Sequence, residues 1–167
     1  SLILLAAYRQ SATTSSEPQP PDLDQPESEK IESSKPESPK PESPKPESPK
    51  PESPKHLLDR VVANQEKMKQ WAHHAPMNHR HKYLLVEAEK QAVLGQQAEA
   101  IELYDHAIAA ARENDYSQEE ALANELAAKF YLRWGKERVA AGYLQEAYYG
   151  YARWGAQAKT TALAQTY

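Results

Sequence analysis

The sequence predicts an all-α protein, an array of antiparallel helix hairpins preceded by a disordered tether rich in Pro, Glu, Ser and Lys. Three observations carry this. Of the 13 prolines, 12 fall between residues 18 and 54, and only Pro76 lies beyond. Past residue 55 the apolar residues recur at intervals of three and four, the helical period. Gly95, Gly135 and Gly155 then punctuate that pattern at intervals of forty and twenty residues.

The chain opens on "SLILLAAY", whose apolar run is far short of the roughly 20 residues that span a bilayer. It has neither a basic leader nor an initiating Met, so a signal peptide is a poor reading. Residues 1–8 are read as the end of a core helix belonging to a preceding domain, in a chain that is a piece of something longer. Residues 9–55 hold almost no large apolar side chain, so burial cannot offset the entropy of ordering them. Within them, residues 35–55 read "KPESPKPESPKPESPKPESPK", a five-residue repeat. Proline twice in five residues blocks helix and sheet and favours polyproline II, so twenty residues span on the order of 60 Å. The tract offers P-x-x-P spacings, and Ser-Pro phosphorylation sites at Ser38, Ser43, Ser48 and Ser53. A spacer grown by repeat slippage is the simpler account.

Residues 56–167 are rich in Ala, Leu and Tyr, and a segment of about 110 residues buries roughly two-thirds of its unfolded surface. Glycine closes a helix by taking the left-handed conformation, and proline suits only the first helical turn. Those stops place helices near 57–73, 78–94, 97–113, 118–134 and 136–154, with a sixth starting in 156–166. Ser117 and Glu120 have the spacing of a capping box at the fourth start. Apolar stripes confirm the faces: Ile101, Tyr104 and Ile108 in the third helix, Leu122, Leu126, Phe130 and Trp134 in the fourth, and Tyr143, Leu144 and Tyr151 in the fifth.

Aligning Gly95 with Gly135 pairs Ala88 with Ala128, Ala100 with Ala140, Tyr104 with Leu144 and Ala107 with Ala147. Small residues recurring where helices cross are the grammar of the tetratricopeptide repeat. The period of forty exceeds the usual thirty-four, so the array is TPR-like with longer helices. The doubled Tyr-x-Arg-Trp-Gly at residues 131–135 and 151–155 is then the way two successive helices end. Trp134 and Trp154 are expected to plug the seams beside the turns.

"NQEKMKQWAHHAPMNHRHKYLLVEAE" and "EEALANELAAKFYLRWGKERVAAGYLQEAYYGYARWGAQAK" resemble the helical region of large cyanobacterial-type signalling proteins. Those proteins join a serine/threonine kinase, a STAND-like ATPase, this helical region, a GAF sensor and often a histidine kinase. The resemblance covers residues 57–160; "SLILLAAY" fits the helix just upstream, and the Pro-rich tract departs from it as an insertion between helices. It implies a parent that carries out ATP-dependent phosphotransfer in multi-sensor signalling. No phosphate-binding loop, H-R-D or D-F-G motif is present, so neither a catalytic nor a cofactor residue carries over, and ATP belongs to the parent alone.

The remaining candidates are weighed on their chemistry. Residues 56–167 carry 13 Lys/Arg against 14 Asp/Glu, which leaves no basic excess to hold a nucleic acid. The absence of cysteine excludes disulfides and permits a reducing compartment, so a cytoplasmic protein without membrane insertion is expected. His73, His74, His79 and His81 cluster within nine residues, but they straddle Pro76 and point to different faces, so no metal is expected there. Glu87, Glu89, Glu99, Glu102, Glu119 and Glu120 are expected on solvated helix faces rather than paired in an apolar pocket, so acid–base catalysis is not expected and a cryptic ligand-binding enzyme fragment is the third reading. Among the aromatics, most face neighbouring helices. Arg133, Tyr149 and Arg153 are the residues expected to form a partner surface, because aromatics and arginine dominate binding hot spots. The expected function is a protein-interaction and relay segment that touches protein segments or neighbouring domains of its parent. The alternatives are a purely structural spacer between ATPase and sensor, or the sensor array at the C-terminus of a STAND-type ATPase.

Overall fold

In the computed structural model, residues 2–14 and 53–167 are described, and they form seven helices with no strand among them. These are α1 (Leu2–Thr14), α2 (Pro54–His74), α3 (Pro76–Val93), α4 (Gln97–Glu113), α5 (Ser117–Arg133), α6 (Glu137–Trp154) and α7 (Gln157–Thr166). Helix boundaries from the periodicity hold to within three residues. The largest shift is at α2, where Pro54 occupies the first turn and Ser53 is the N-cap, its hydroxyl accepting from the His56 N–H at 3.4 Å.

The turns follow one rule. Gly95, Asp115, Gly135 and Gly155 all have positive φ, between 61° and 82°, and they stand twenty residues apart. At each, the N–H of the next residue reaches back to the carbonyl five residues earlier: Gln96 to Gln91 at 3.0 Å, Tyr116 to Ala111 at 2.9 Å, Lys136 to Tyr131 at 2.8 Å, and Ala156 to Tyr151 at 2.9 Å. This is the Schellman closure of a helix C-terminus. It displaces the expected capping box: Tyr116 is already fixed by that bond, so α5 starts on Ser117 with no side-chain cap. Glu120 instead takes the Arg112 guanidinium at 2.8 Å.

Consecutive helices pack on one another from α1 to α7, and α3 additionally touches both α1 and α5. Alanines fill the crossings: Ala88 and Ala128, Ala100 and Ala140, and Ala107 and Ala147 are each essentially inaccessible. Gly150 sits at the tightest point, where a Cβ would lie 2.9 Å from the Ala121 Cβ. The core divides into three parts: α1–α2–α3 around Leu5, Val61 and Val86, a centre around Tyr104 and Phe130, and α5–α6–α7 around Ala147, Tyr151 and Leu163.

Two expectations change here. Helix α1 runs to Thr14, beyond the expected boundary at residue 8, and it packs on α2 and α3 rather than standing apart. Residues 15–52, which hold most of the expected tether, lie outside the described residues; they join two helices that touch. Nor do the tryptophans fill the seams, since Trp134 is 38% and Trp154 54% exposed. A left-handed turn residue follows each of them, so each ring sits at the open end of its helix. Trp134 leans on Phe130 and Tyr131 and carries the Lys136 ammonium over its ring at 5.3 Å.

Leu5 is fully buried against α2 and α3. Leu5→Ala is therefore expected to cost about 2–5 kcal/mol in urea unfolding, within a single transition; an unchanged midpoint would mean that α1 is no part of the core.

Candidate functional site

A cleft of about 430 Å³ is lined by Arg9 from the middle of α1, Ala92 and Val93 at the end of α3, and Phe130, Arg133 and Trp134 at the end of α5. Its floor is polar. Glu89 is 3% exposed, accepts a short hydrogen bond from the Tyr104 hydroxyl, and pairs with Arg9 Nη1 at 2.7 Å. Arg9 Nη2 also donates to the Glu89 carbonyl oxygen at 3.5 Å. Burial, reinforced by the adjacent carboxylate, pushes the Tyr104 hydroxyl far above its usual pKa, so it stays protonated and donates to Glu89. Arg133 stands exposed at the rim, within electrostatic reach of Arg9 and Glu89. It makes no ion pair among the described residues. The cleft thus presents two guanidinium groups and the rings of Phe130 and Trp134, with the Glu89 carboxylate buried behind Arg9.

Of the three residues expected to form a partner surface, the fold separates one from the other two. Tyr149 is 52% exposed, touches Tyr148 edge-on at 5.8 Å, and lies one turn before exposed Arg153 on the outer side of α6. Its neighbour Gly150 abuts Ala121, twelve residues before Arg133. At 1.5 Å per residue that places Tyr149 and Arg133 about 18 Å apart along α5. The doubled motif therefore puts its two arginines on different surfaces. Sequence reasoning missed Arg9, which fell in the expected tether, and Glu89, which it placed on a solvated face. The available signal was Glu89's position four residues after Leu85 and beside Ala88, on the apolar stripe of α3.

The solvated-face expectation also weakens at Glu87, half-buried and bonded by Gln65, Lys90 and Gln91. A further buried carboxylate, Glu125, joins the last three helices: it accepts from Tyr151 at 2.7 Å, Lys129 at 2.7 Å and Lys159 at 2.8 Å. Burial alone would raise its pKa, but these three donors outweigh burial and hold the carboxyl at about 2. The histidines disperse. His73 and His74 end α2, His79 packs at a tilt against Trp71, and His81 stacks on Tyr116. Among the described residues no group of three or more His, Cys, Asp or Glu is arranged to hold a metal ion. Nor is any helix there long and apolar enough to cross a membrane.

No family model matches the sequence, no curated protein is significantly similar to it, and no solved structure matches.

Because the Glu125 carboxyl sits at about 2 when folded and near 4.5 when unfolded, its contribution is full above pH 4.5 and disappears as pH falls towards 2. Glu125→Gln is expected to cost about 1–3 kcal/mol at pH 7, with the gap to wild type closing below pH 4.5. A gap independent of pH between 2 and 6 would show that the carboxylate charge is not what joins α5 to α7.

Proposed function

We propose that this chain is a TPR-like interaction and relay segment of a larger cytoplasmic signalling protein, without a catalytic centre or cofactor of its own. The forty-residue recurrence of inaccessible alanines supports the repeat reading, as do the contacts of α3 with both α1 and α5, which set alternate helices side by side as a TPR array does. Kinase and ATPase activities in the parent rest on the sequence resemblance described above.

The observation that carries the binding role is the cleft beside α1, α3 and α5, where Arg133 makes no ion pair among the described residues and stands beside half-exposed Trp134. A guanidinium with a fixed fork of donors next to an aromatic edge suits a segment bearing a carboxylate and an apolar side chain. The partner is therefore an acidic protein segment, from the parent chain or from another protein, and not a nucleic acid. The surface of Tyr149 and Arg153 is secondary, because neither residue lines the cleft that holds Arg133.

The test is site-specific photo-crosslinking from position 134 in the intact parent protein. A single crosslinked segment containing Asp or Glu is expected, lost in Arg133→Glu and retained in Arg153→Glu. No discrete product, or a product indifferent to Arg133→Glu, leaves α1–α7 as a structural spacer.

A further inference from the structure

The sequence that joins α1 to α2, residues 15–52, is charged unevenly. Between residues 15 and 29 it carries Glu17, Asp22, Asp24, Glu27 and Glu29 and neither lysine nor arginine, whereas from Lys30 onwards glutamate and lysine alternate. Its large apolar residues are Leu23 and Ile31. Of these only Leu23 is flanked by carboxylates on both sides, in Asp22-Leu23-Asp24.

The Arg133 cleft offers the complement. Arg133 and Trp134 are both exposed at its rim, and Lys136 holds its ammonium 5.3 Å from the centre of the Trp134 ring. Neither Arg133 nor Lys136 makes an ion pair among the described residues, while Arg9 is already committed to Glu89 at 2.7 Å. An aromatic ring with a cation on each side along residues 133–136 thus answers a leucine with a carboxylate on each side along residues 22–24.

The chain delivers one to the other. Helix α1 ends at Thr14, five residues past Arg9, which lines the cleft; five helical residues rise about 7.5 Å. On the returning side, Leu58 in the second turn of α2 packs on the same apolar cluster as Val93, and Val93 also lines the cleft. The points where residues 15–52 leave and rejoin the helices therefore both lie beside it. Asp22 is eight residues past Thr14, a span that reaches about 26 Å when extended. A ligand tethered at that range has a local concentration on the order of millimolar, which a free segment rarely matches.

We propose that Asp22-Leu23-Asp24 of this same chain occupies the cleft, with its carboxylates on Arg133 and Lys136 and Leu23 against the rings of Phe130 and Trp134. This rests on the cleft being a site for acidic segments and names the segment that fills it. Any other acidic partner has to displace it, so the affinity of that partner is reduced by the fraction of chains whose cleft is vacant.

The chain has no cysteine, so Gln25→Cys takes a single nitroxide label beside the acidic pair. Proton NMR of the whole chain then reads three tryptophan indoles, Trp134 in the cleft and Trp71 and Trp154, which do not line it. Selective broadening of Trp134 is expected, independent of protein concentration and lost both in Arg133→Glu and in Asp22→Asn/Asp24→Asn. A free peptide, Glu-Asp-Leu-Asp-Glu blocked at both ends, is titrated by calorimetry. It should bind Asp22→Asn/Asp24→Asn more tightly than the unaltered chain, by the factor that the docked segment withholds. Broadening that spares Trp134 or survives Arg133→Glu, or equal peptide affinity for the two chains, overturns the proposal. Equal affinities that drop in Arg133→Glu leave the cleft a site for acidic segments with a different occupant, and no peptide binding to either chain removes that site as well. If Arg133→Glu fails to fold, the Asp22→Asn/Asp24→Asn comparison decides.

Discussion

The structure depends on a left-handed backbone position every twenty residues. At 95, 115, 135 and 155 the chain turns through positive φ and closes the preceding helix with a bond back across the turn. Equal spacing gives equal helices, of 17, 17 and 18 residues for α4, α5 and α6. Helix and turn together take twenty residues, so the contact of α3 with α5 brings together residues about forty apart. That is why Glu89 and Arg133 meet beside one cleft, and His81, Lys82 and Glu119 beside another. Neither cluster is local in sequence; both follow from the turn period.

Small side chains let the helices approach, but they do not by themselves choose a register. Buried polar contacts do that. Glu89 ties α3 to α1 and α4, and Glu125 ties α5 to α6 and α7. Tyr143 and Tyr116 add matching links across 38 residues, to Asp105 and Asn78. Each carboxylate pays its desolvation only where all of these donors arrive together, which penalises any slipped packing. Tyrosine supplies both apolar area for the crossing and a donor at its tip, the role of Tyr104, Tyr116, Tyr143 and Tyr151.

The helix bounds past residue 55 were legible because glycine at 95, 135 and 155 has a conformational signature and the apolar stripes between them have a period. Asp115 was not legible, since aspartate enters the left-handed region only as a minority choice and nothing nearby marks it. Helix α1 was hidden by its distance in sequence: Arg9 reaches Glu89 across eighty residues, and the Pro-rich tract between them looks like a domain boundary. Placing Trp134 and Trp154 in the seams followed from size alone, whereas their position one residue before the left-handed turn sets them at the rim. The buried carboxylates escaped notice because charge is usually a surface signal, and only the register of α3 and α5 shows otherwise.

The turn period is tested most directly at its one non-glycine position. Asp115 sits at φ 61°, at the negative end of α4. Both the left-handed conformation and the helix polarity disfavour an aspartate there. If the left-handed turn sets the stack, Asp115→Gly raises unfolding free energy by about 0.5–2 kcal/mol, whereas glycine within an ordinary helix costs about 1 kcal/mol. Measured by urea unfolding of the whole chain, a gain supports the twenty-residue turn as the organising constraint, and a loss of about 1 kcal/mol contradicts it.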